Sequence, residues 1–235
     1  MALPFFFEEN IKDESTFVLN EDTSRHITQV LRMHKGESLK ITNGKGHVLT
    51  CRVIQENKRA TEVMILSTEV DKPPLKKITI AISLIKNNSR FEWFLEKAVE
   101  IGVSEIIPML CERTEKQHFR YERMRNILIS ATLQSQQPWL PVLHHPTDFK
   151  QIIDLRNDTQ KFIAHCDEDA KVSLQNKAGN STDSIIILIG PEGDFTKNEI
   201  HAALHNNFIS TSLGTTRLRT ETAGIVATVI LNTCL

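Results

Sequence analysis

The chain has 235 residues, of which 40% are hydrophobic and 24% charged, and its formal net charge is -1. This composition is that of an ordinary globular protein with room for one large or two modest domains. No apolar run approaches the roughly 18 residues that span a bilayer, so a membrane-spanning protein is excluded and no membrane partner is expected.

The N-terminal stretch MALPFFFEEN has an apolar cluster, but no basic residues precede it and acidic residues follow at once. Neither a signal peptide nor a transit peptide is therefore expected. Cys51, Cys111, Cys166 and Cys234 are scattered without a CxxC pair, which is typical of reduced intracellular thiols. We expect a cytoplasmic protein.

The first 70 residues contain short alternating runs at 38–42, 47–54 and 61–70, with an Asn-Gly-Lys-Gly turn at 43–46. This pattern predicts a small β-barrel or sandwich. Residues 23–59 carry eight Lys or Arg against two Glu, a net charge of +6. Such a basic segment suits a polyanion such as RNA, although a solvated surface without a partner would have the same composition.

The stretch Asp71-Lys72-Pro73-Pro74 predicts a boundary between domains at 1–72 and 73–235, because two prolines interrupt regular structure. Beyond it, strands and helices alternate, which predicts an α/β domain with a mostly parallel sheet. The predicted strands are 78–85, 106–110, 161–165, 184–190 and 209–213. Four helices are predicted. The first opens at a Ser89–Glu92 capping box and ends at Gly102, and the second covers 121–136. The third begins at Lys197 after a Thr196–Glu199 capping box, and the fourth runs from Glu221 to the C-terminus.

The loop that follows the run at 184–190 has the sequence Gly-Pro-Glu-Gly-Asp. Pro191 removes one amide donor, and Glu192 and Asp194 place two carboxylates where a phosphate would lie. The loop therefore favours a neutral or cationic ligand, unless it is only an ordinary strand-to-helix turn. A second Gly-containing loop, within 212–227, also follows a short strand, and loops at the carboxyl ends of strands in α/β sheets converge on ligands.

Two motifs stand out in these loops: Ile189-Gly190-Pro191-Glu192-Gly193, and Leu213-Gly214 followed by Leu218-Arg219-Thr220-Glu221-Thr222-Ala223. With the segments 26–37, 96–113 and 134–141, they resemble the RsmE-type 16S ribosomal RNA (uridine-N3) methyltransferases of the SPOUT superfamily. The resemblance implies a PUA-like RNA-binding β-barrel followed by a SPOUT domain with a deep trefoil knot. It further implies S-adenosylmethionine as methyl donor, a homodimer, and small-subunit RNA, in the assembled 30S particle, as substrate.

By the same resemblance, eight residues are expected at the donor site: Leu188, Gly190, Glu192, Gly193, Leu213, Gly214, Leu218 and Ala223. The strand end at Ala164 and His165 is expected to supply another wall, which makes ten residues in all. Glu192 would either contact the donor or hydrogen-bond loop amides. Arg219 is the candidate for stabilising negative charge on the uridine, with Glu221 either orienting it or accepting a hydrogen bond. The sequence identifies no general base, and bulk water could accept the proton.

The expected RNA contacts are Arg25, His26, Arg32 and Lys45, while Val30 and Leu31 are expected in the core. The chain departs from the family pattern at Asp194, where a second glycine is usual, at Gln137, where arginine is usual, and in lacking an arginine near the N-terminus. Two alternatives stay open: methylation of another RNA or base position, and a noncatalytic RNA-binding protein.

No metal is expected. Glu92, Glu96 and Glu100 share a helix face without a neighbouring His or Cys cluster, so pairing with arginines is a better interpretation than a metal site. His201 and His205 lie one turn apart and lack a third ligand.

Overall fold

The computed structural model describes residues 3–11, 14–115, 118–167, 170–178 and 184–233. The chain forms two compact units. The first comprises Met1–Pro73 with Thr132–Leu140, and the second comprises Pro74–Ala131 with Pro141–Leu235. The sequence-based division differs in one segment, because it assigned residues 132–140 to the second domain.

The segment 132–140 groups with the first unit because it pairs with the glycine-containing turn. Gly46 N donates to Pro138 O at 3.0 Å, and Leu140 N donates to Gly44 O at 2.9 Å. A Cβ on Gly46 would lie 2.5 Å from the Trp139 ring, so this close approach requires glycine. Such pairing between distant segments has no local sequence signal.

The first unit contains five strands and one short helix. They are β1 (Phe5–Phe7), β2 (Thr16–Val18), α1 (Glu21–Arg25), β3 (Ser38–Thr42), β4 (His47–Gln55) and β5 (Glu62–Val70). The sheet order is β1-β3-β4-β5-β2, with β1 parallel to β3 and the other neighbours antiparallel. Within the described ranges no pairing joins β1 to β2, so hydrogen bonds do not close the strands into the expected barrel.

The expectation that Val30 and Leu31 lie in the core is wrong: they are 66% and 43% exposed. After α1 the chain continues as a π-helical turn, His26–Val30, in which Leu31 N donates to His26 O. The wider turn places Ile27 and Met33 in the core and directs the residues between them to solvent.

The second unit contains the strands and helices that follow residue 73, except that residues 132–134, which end one of these helices, belong to the first unit. The strands are β6 (Lys77–Ser83), β7 (Glu105–Leu110), β8 (Val142–Leu143), β9 (Thr147–Asp148), β10 (Gln160–Ala164), β11 (Val172–Ser173), β12 (Ser184–Ile189) and β13 (Ile209–Ser212). The helices are α2 (Asn88–Ile101), α3 (Tyr121–Gln134), α4 (Phe149–Leu155), α5 (Leu174–Lys177), α6 (Lys197–His205) and α7 (Thr220–Thr233). Residues 234 and 235, which the last helix was predicted to include, lie outside the described residues.

The strand order is β11-β13-β10-β12-β6-β7-β8, with β9 also paired to β7, and these pairs are parallel. The predicted α/β class with a parallel sheet is confirmed. Central strand β6 is buried along its length after Lys77, as expected for a parallel strand covered on both faces.

Helix ends follow local sequence, with one correction. The predicted capping box of α6 is present, since Thr196 Oγ1 accepts from Glu199 N and Glu199 Oε2 accepts from Thr196 N. Gly102, with φ 99°, ends α2 as predicted. The predicted box at the start of α2 is wrong, because the cap is Asn87, whose Oδ1 accepts from Ser89 N. Glu92 instead binds Arg123 through two hydrogen bonds.

Among the described residues, no helix has the length and apolar character needed to cross a bilayer. Within those same ranges, no cluster of His, Cys, Asp and Glu could hold a metal ion. Cys51 and Cys111 are buried free thiols and Cys166 is exposed. Burial raises the pKa of Cys51 to about 12. Cys234 lies outside the described residues.

Candidate active site

A cavity of about 740 Å³ opens where the parallel strands β10, β12 and β13 end. Carboxyl ends of parallel strands are the usual ligand site in such sheets, because the following loops leave a crevice between them. The lining consists of residues 164–166, 189–192, 194, 211–221 and 223, with Arg90 and Lys171. Its volume is within the range of small-molecule sites.

The two loops noted in the sequence line this same cavity and are joined to each other. Thr220 Oγ1 donates to Gly190 O at 3.0 Å, and the bond is buried. Ala223 N donates to Arg219 O at 2.7 Å, which starts α7. Arg219 therefore stands at the start of a helix that is anchored to the first loop.

The cavity contains eight of the ten residues expected at the donor site: Ala164, His165, Gly190, Glu192, Leu213, Gly214, Leu218 and Ala223. The other two lie elsewhere. Leu188 is fully buried in the core with Ile163 and Phe195, because side chains on a strand alternate between faces. Gly193 presents its carbonyl oxygen to Arg113 Nη1 at 2.7 Å.

Three carboxylates line the cavity. Glu192 Oε1 accepts from Lys86 N at 3.1 Å, so this side chain fastens one loop to another while it faces the cavity. Asp194 also accepts backbone N–H groups. Glu221 is buried, and among the described residues its ion pair is with Arg90, at 3.7 Å between Oε1 and Nε, rather than with Arg219.

Four cationic side chains line the same space: Arg90, Lys171, Arg217 and Arg219. Arg219 is exposed, and no described residue forms an ion pair with it. Arg90 was missed as a site residue because α2 lies more than a hundred residues before α7 in the chain. No local motif signals their meeting, which depends on the packing of α2 against α7.

The four expected RNA contacts belong to the first unit. Arg25 is paired with Glu21 at 2.7 Å, and the His26 ring lies edge-on to Phe6, with centroids 5.7 Å apart. Arg32 is exposed in a left-handed conformation, φ 54°, and Lys45 is exposed in the turn. Arg32 is thus better placed than Arg25 to bind a phosphate, because an existing ion pair must weaken before Arg25 can do so.

Comparison with known families gives two matches. The model described as an RNA methyltransferase domain matches residues 71–232. The model described as an RNA methyltransferase PUA domain matches residues 19–65. Together they cover both units of the chain and support the expectation of a PUA-like domain ahead of a methyltransferase domain.

Two solved structures and one related protein are similar to this chain over most of its length. A probable rRNA-methyltransferase from Porphyromonas gingivalis is 36% identical with a TM-score of 0.89, over 96% of this chain and 95% of that one. A ribosomal RNA small subunit methyltransferase E from Neisseria gonorrhoeae, bound to S-adenosyl methionine, is 29% identical with a TM-score of 0.88, over 99% and 98% of the chains. The Synechocystis protein of the same name is 29% identical over 94% of this chain and 74% of that protein. The chain therefore belongs to the RNA methyltransferase family, in the group named ribosomal RNA small subunit methyltransferase E.

Proposed function

We propose that the protein transfers a methyl group from S-adenosylmethionine to N3 of a uridine in 16S ribosomal RNA, within the assembled small subunit in the cytoplasm. The observation that carries this proposal is the cavity at the strand ends, in which the two family motifs meet. The choice of N3 and of 16S RNA comes from the family resemblance, and the names of the relatives agree with a small-subunit substrate.

The cavity fits the donor in size, since it has the volume of a small-molecule site. Its lining carries both signs of charge, which suits a donor that has a sulfonium and a carboxylate: the acidic residues are Glu192, Asp194 and Glu221, and the basic ones are Arg90, Lys171, Arg217 and Arg219. Residues of the two loops, with Ala164 and His165, would hold S-adenosylmethionine, which supplies an electrophilic methyl group on a sulfonium centre. Gly214 allows close approach of a ligand, since a Cβ there would lie in open space, whereas a Cβ on Gly190 would lie 3.0 Å from the Phe195 ring.

Arg219 is proposed to act on the uridine. Loss of the N3 proton leaves negative charge on the base carbonyl oxygens, and an exposed guanidinium at the cavity stabilises that charge. Water can accept the proton. Arg90, rather than Arg219, holds Glu221, so the Glu221 carboxylate is proposed to fix the start of α7 through α2 and to leave Arg219 available to the substrate.

The RNA is proposed to bind the first unit through its basic residues. Replacing Arg32 by alanine is expected to weaken RNA binding and to reduce the slope of log affinity against log salt by about one, because one phosphate contact is lost. Fluorescence anisotropy at several salt concentrations measures this. Lys150→Ala, which removes an exposed charge on α4, is the control. An unchanged slope for Arg32→Ala would contradict the assignment.

We propose that the second unit is knotted, as the family resemblance implies. Support comes from the path of the chain: β13 pairs with β10, yet α7 packs against α2 and β6, on the other side of β12 in the sheet order. The chain must therefore cross the ends of β10 and β12 between β13 and α7.

We also propose a homodimer that uses α7. Its inner face is buried at Gly224, Ala227 and Leu231, whereas the opposite face is apolar and only partly covered. That face consists of Thr222, Ile225, Val226, Val229 and Ile230. A helix that is apolar all round requires a further partner, and a second copy of the chain is the partner that the family implies.

Replacing Val229, which is 40% exposed, by aspartate is expected to convert the dimer to a monomer, because the change buries an unpaired charge in the contact. Size-exclusion chromatography with light scattering measures the mass. Asn126→Asp, an exposed change on α3, is the control. A wild-type protein that is monomeric at micromolar concentration would contradict the proposal.

The function is tested by incubating the protein with labelled S-adenosylmethionine and small ribosomal subunits lacking the modification, then mapping the methylated nucleotide. Label at N3 of one 16S uridine is the expected result, with naked RNA a poorer substrate than the subunit. Label at another base atom or RNA would favour the first alternative. Binding of RNA with no transfer would favour a noncatalytic protein.

A further inference from the structure

Asp194 stands where the family pattern usually has a second glycine, and its backbone shows why glycine is usual there. Its φ is 60°, in the left-handed region that most side chains avoid. Aspartate tolerates this region better than most residues because its short side chain can hydrogen-bond nearby backbone. The substitution therefore brings a carboxylate into the loop without moving the chain out of the glycine conformation.

Both carboxylate oxygens of Asp194 accept backbone N–H groups. Oδ1 accepts from Phe195 N at 2.8 Å, which is a local bond. Oδ2 accepts from Cys166 N at 2.8 Å, and Cys166 directly follows the end of β10. This second bond joins two segments that are 28 residues apart.

The two joined segments are separate parts of the cavity lining, and they follow the paired strands β10 and β12. Cys166 belongs to the 164–166 stretch and Asp194 to the loop after β12. Arg113 holds the same loop through the carbonyl oxygens of Gly193 and Phe195, at 2.7 and 3.5 Å. The β10–β12 pairing joins Ala164 to Ile189 at the strand ends. Beyond the end of β10, Asp194 adds a side-chain bond between the two lining segments, whereas Arg113 does not line the cavity.

We propose that Asp194 is a positioning residue that ties these two segments together and so holds the donor cavity in its binding shape. The proposal rests on the assignment of this cavity to S-adenosylmethionine. Hydrogen bonds to a charged acceptor are stronger than those between neutral groups. A cavity held in shape before binding loses less conformational entropy when the ligand enters.

Asp194→Gly tests the tie, because it removes the carboxylate while permitting the same backbone angles. Binding of S-adenosylmethionine and of its product S-adenosylhomocysteine, whose sulfur is a neutral thioether, is measured by isothermal titration calorimetry. Both dissociation constants are expected to rise about tenfold, the effect of losing one hydrogen bond to a charged group. Asp194→Asn, which keeps one acceptor oxygen, is expected to show a smaller rise for both ligands.

An equal loss of affinity for the two ligands indicates that Asp194 acts by joining the two segments and not by attracting the sulfonium directly. A loss confined to S-adenosylmethionine would overturn the proposal, as would unchanged binding of both ligands by Asp194→Gly. Glu112→Ala is the matched control, because Glu112 accepts from Thr196 beside the same loop but does not line the cavity. Absence of donor binding by the wild-type protein would instead reject the cavity assignment itself. Thermal melting without ligand reports whether each variant is folded.

Discussion

Replacing Arg219 by alanine is expected to lower kcat by a factor of about 10² to 10³ at saturating RNA and donor, the usual cost of removing one group that stabilises developing charge. The Arg219 side chain is exposed at the cavity. Arg219 directly precedes α7, whose first turn is anchored to Gly190 through Thr220. Because no described residue pairs with Arg219, its guanidinium is available to the base.

Donor binding is expected to survive the Arg219 change, since the proposed interaction is with the uridine. Calorimetry with S-adenosylmethionine measures this, and single-turnover methylation of small subunits measures the chemical step. Lys197→Ala, at the exposed start of α6 and outside the cavity, is the control. Arg219→Lys should recover only part of the rate, because an ammonium does not reproduce the planar fork of donors. Wild-type turnover in Arg219→Ala would reject the assignment.

The largest expected effect on stability is at Glu105, at the start of β7. Its buried carboxylate accepts from Thr79 Oγ1 at 2.8 Å and from Arg156 Nη2 at 3.0 Å, and lies 2.6 Å from His144 Nε2. Arg156 also binds Asp158 through two hydrogen bonds. Replacing Glu105 by alanine is expected to lower the free energy of unfolding by about 3 kcal/mol, the lower end of the range for a broken buried ion pair, because the partly buried Arg156 loses one of its two carboxylate partners.

The stabilising effect of Glu105 also depends on pH. Burial raises the pKa of Glu105, but hydrogen bonds from His144, Arg156 and Thr79 outweigh it, so the pKa lies well below its ordinary value. The stabilisation is therefore present above the unfolded-state pKa of about 4.3 and is lost as the pH falls towards the folded-state pKa.

Urea unfolding of the wild-type protein and Glu105→Gln at pH 7 and pH 3.5 measures this dependence. The difference in unfolding free energy between them should be smaller at pH 3.5. The control is Glu122→Gln, an exposed change on α3, whose unfolding free energy should equal that of the wild-type protein at both pH values. A difference that is constant between the two pH values would contradict the linkage.

The helix ends that the sequence predicts correctly depend on residues close together in the chain. The Thr196–Glu199 capping box and Gly102 were predictable because a cap depends on residues within one turn. The start of α2 was misassigned because both Asn87 and Ser89 are suitable N-cap residues. Glu92 does not complete a capping box with Ser89, since it binds Arg123 on α3. Val30 and Leu31 were misplaced because a π-helical turn changes the spacing that places side chains in the core.

For this protein, the sequence alone determined the class of fold, the two motif loops and the residues that family resemblance implies. These depend on periodicity and on the chemistry of side chains near each other in the chain. The tertiary structure alone decided that Arg90 holds Glu221, that Leu188 faces the core, that residues 132–140 join the first unit and that Asp194 binds Cys166 N. Each of these depends on contacts between distant segments, which follow from packing and leave no local pattern.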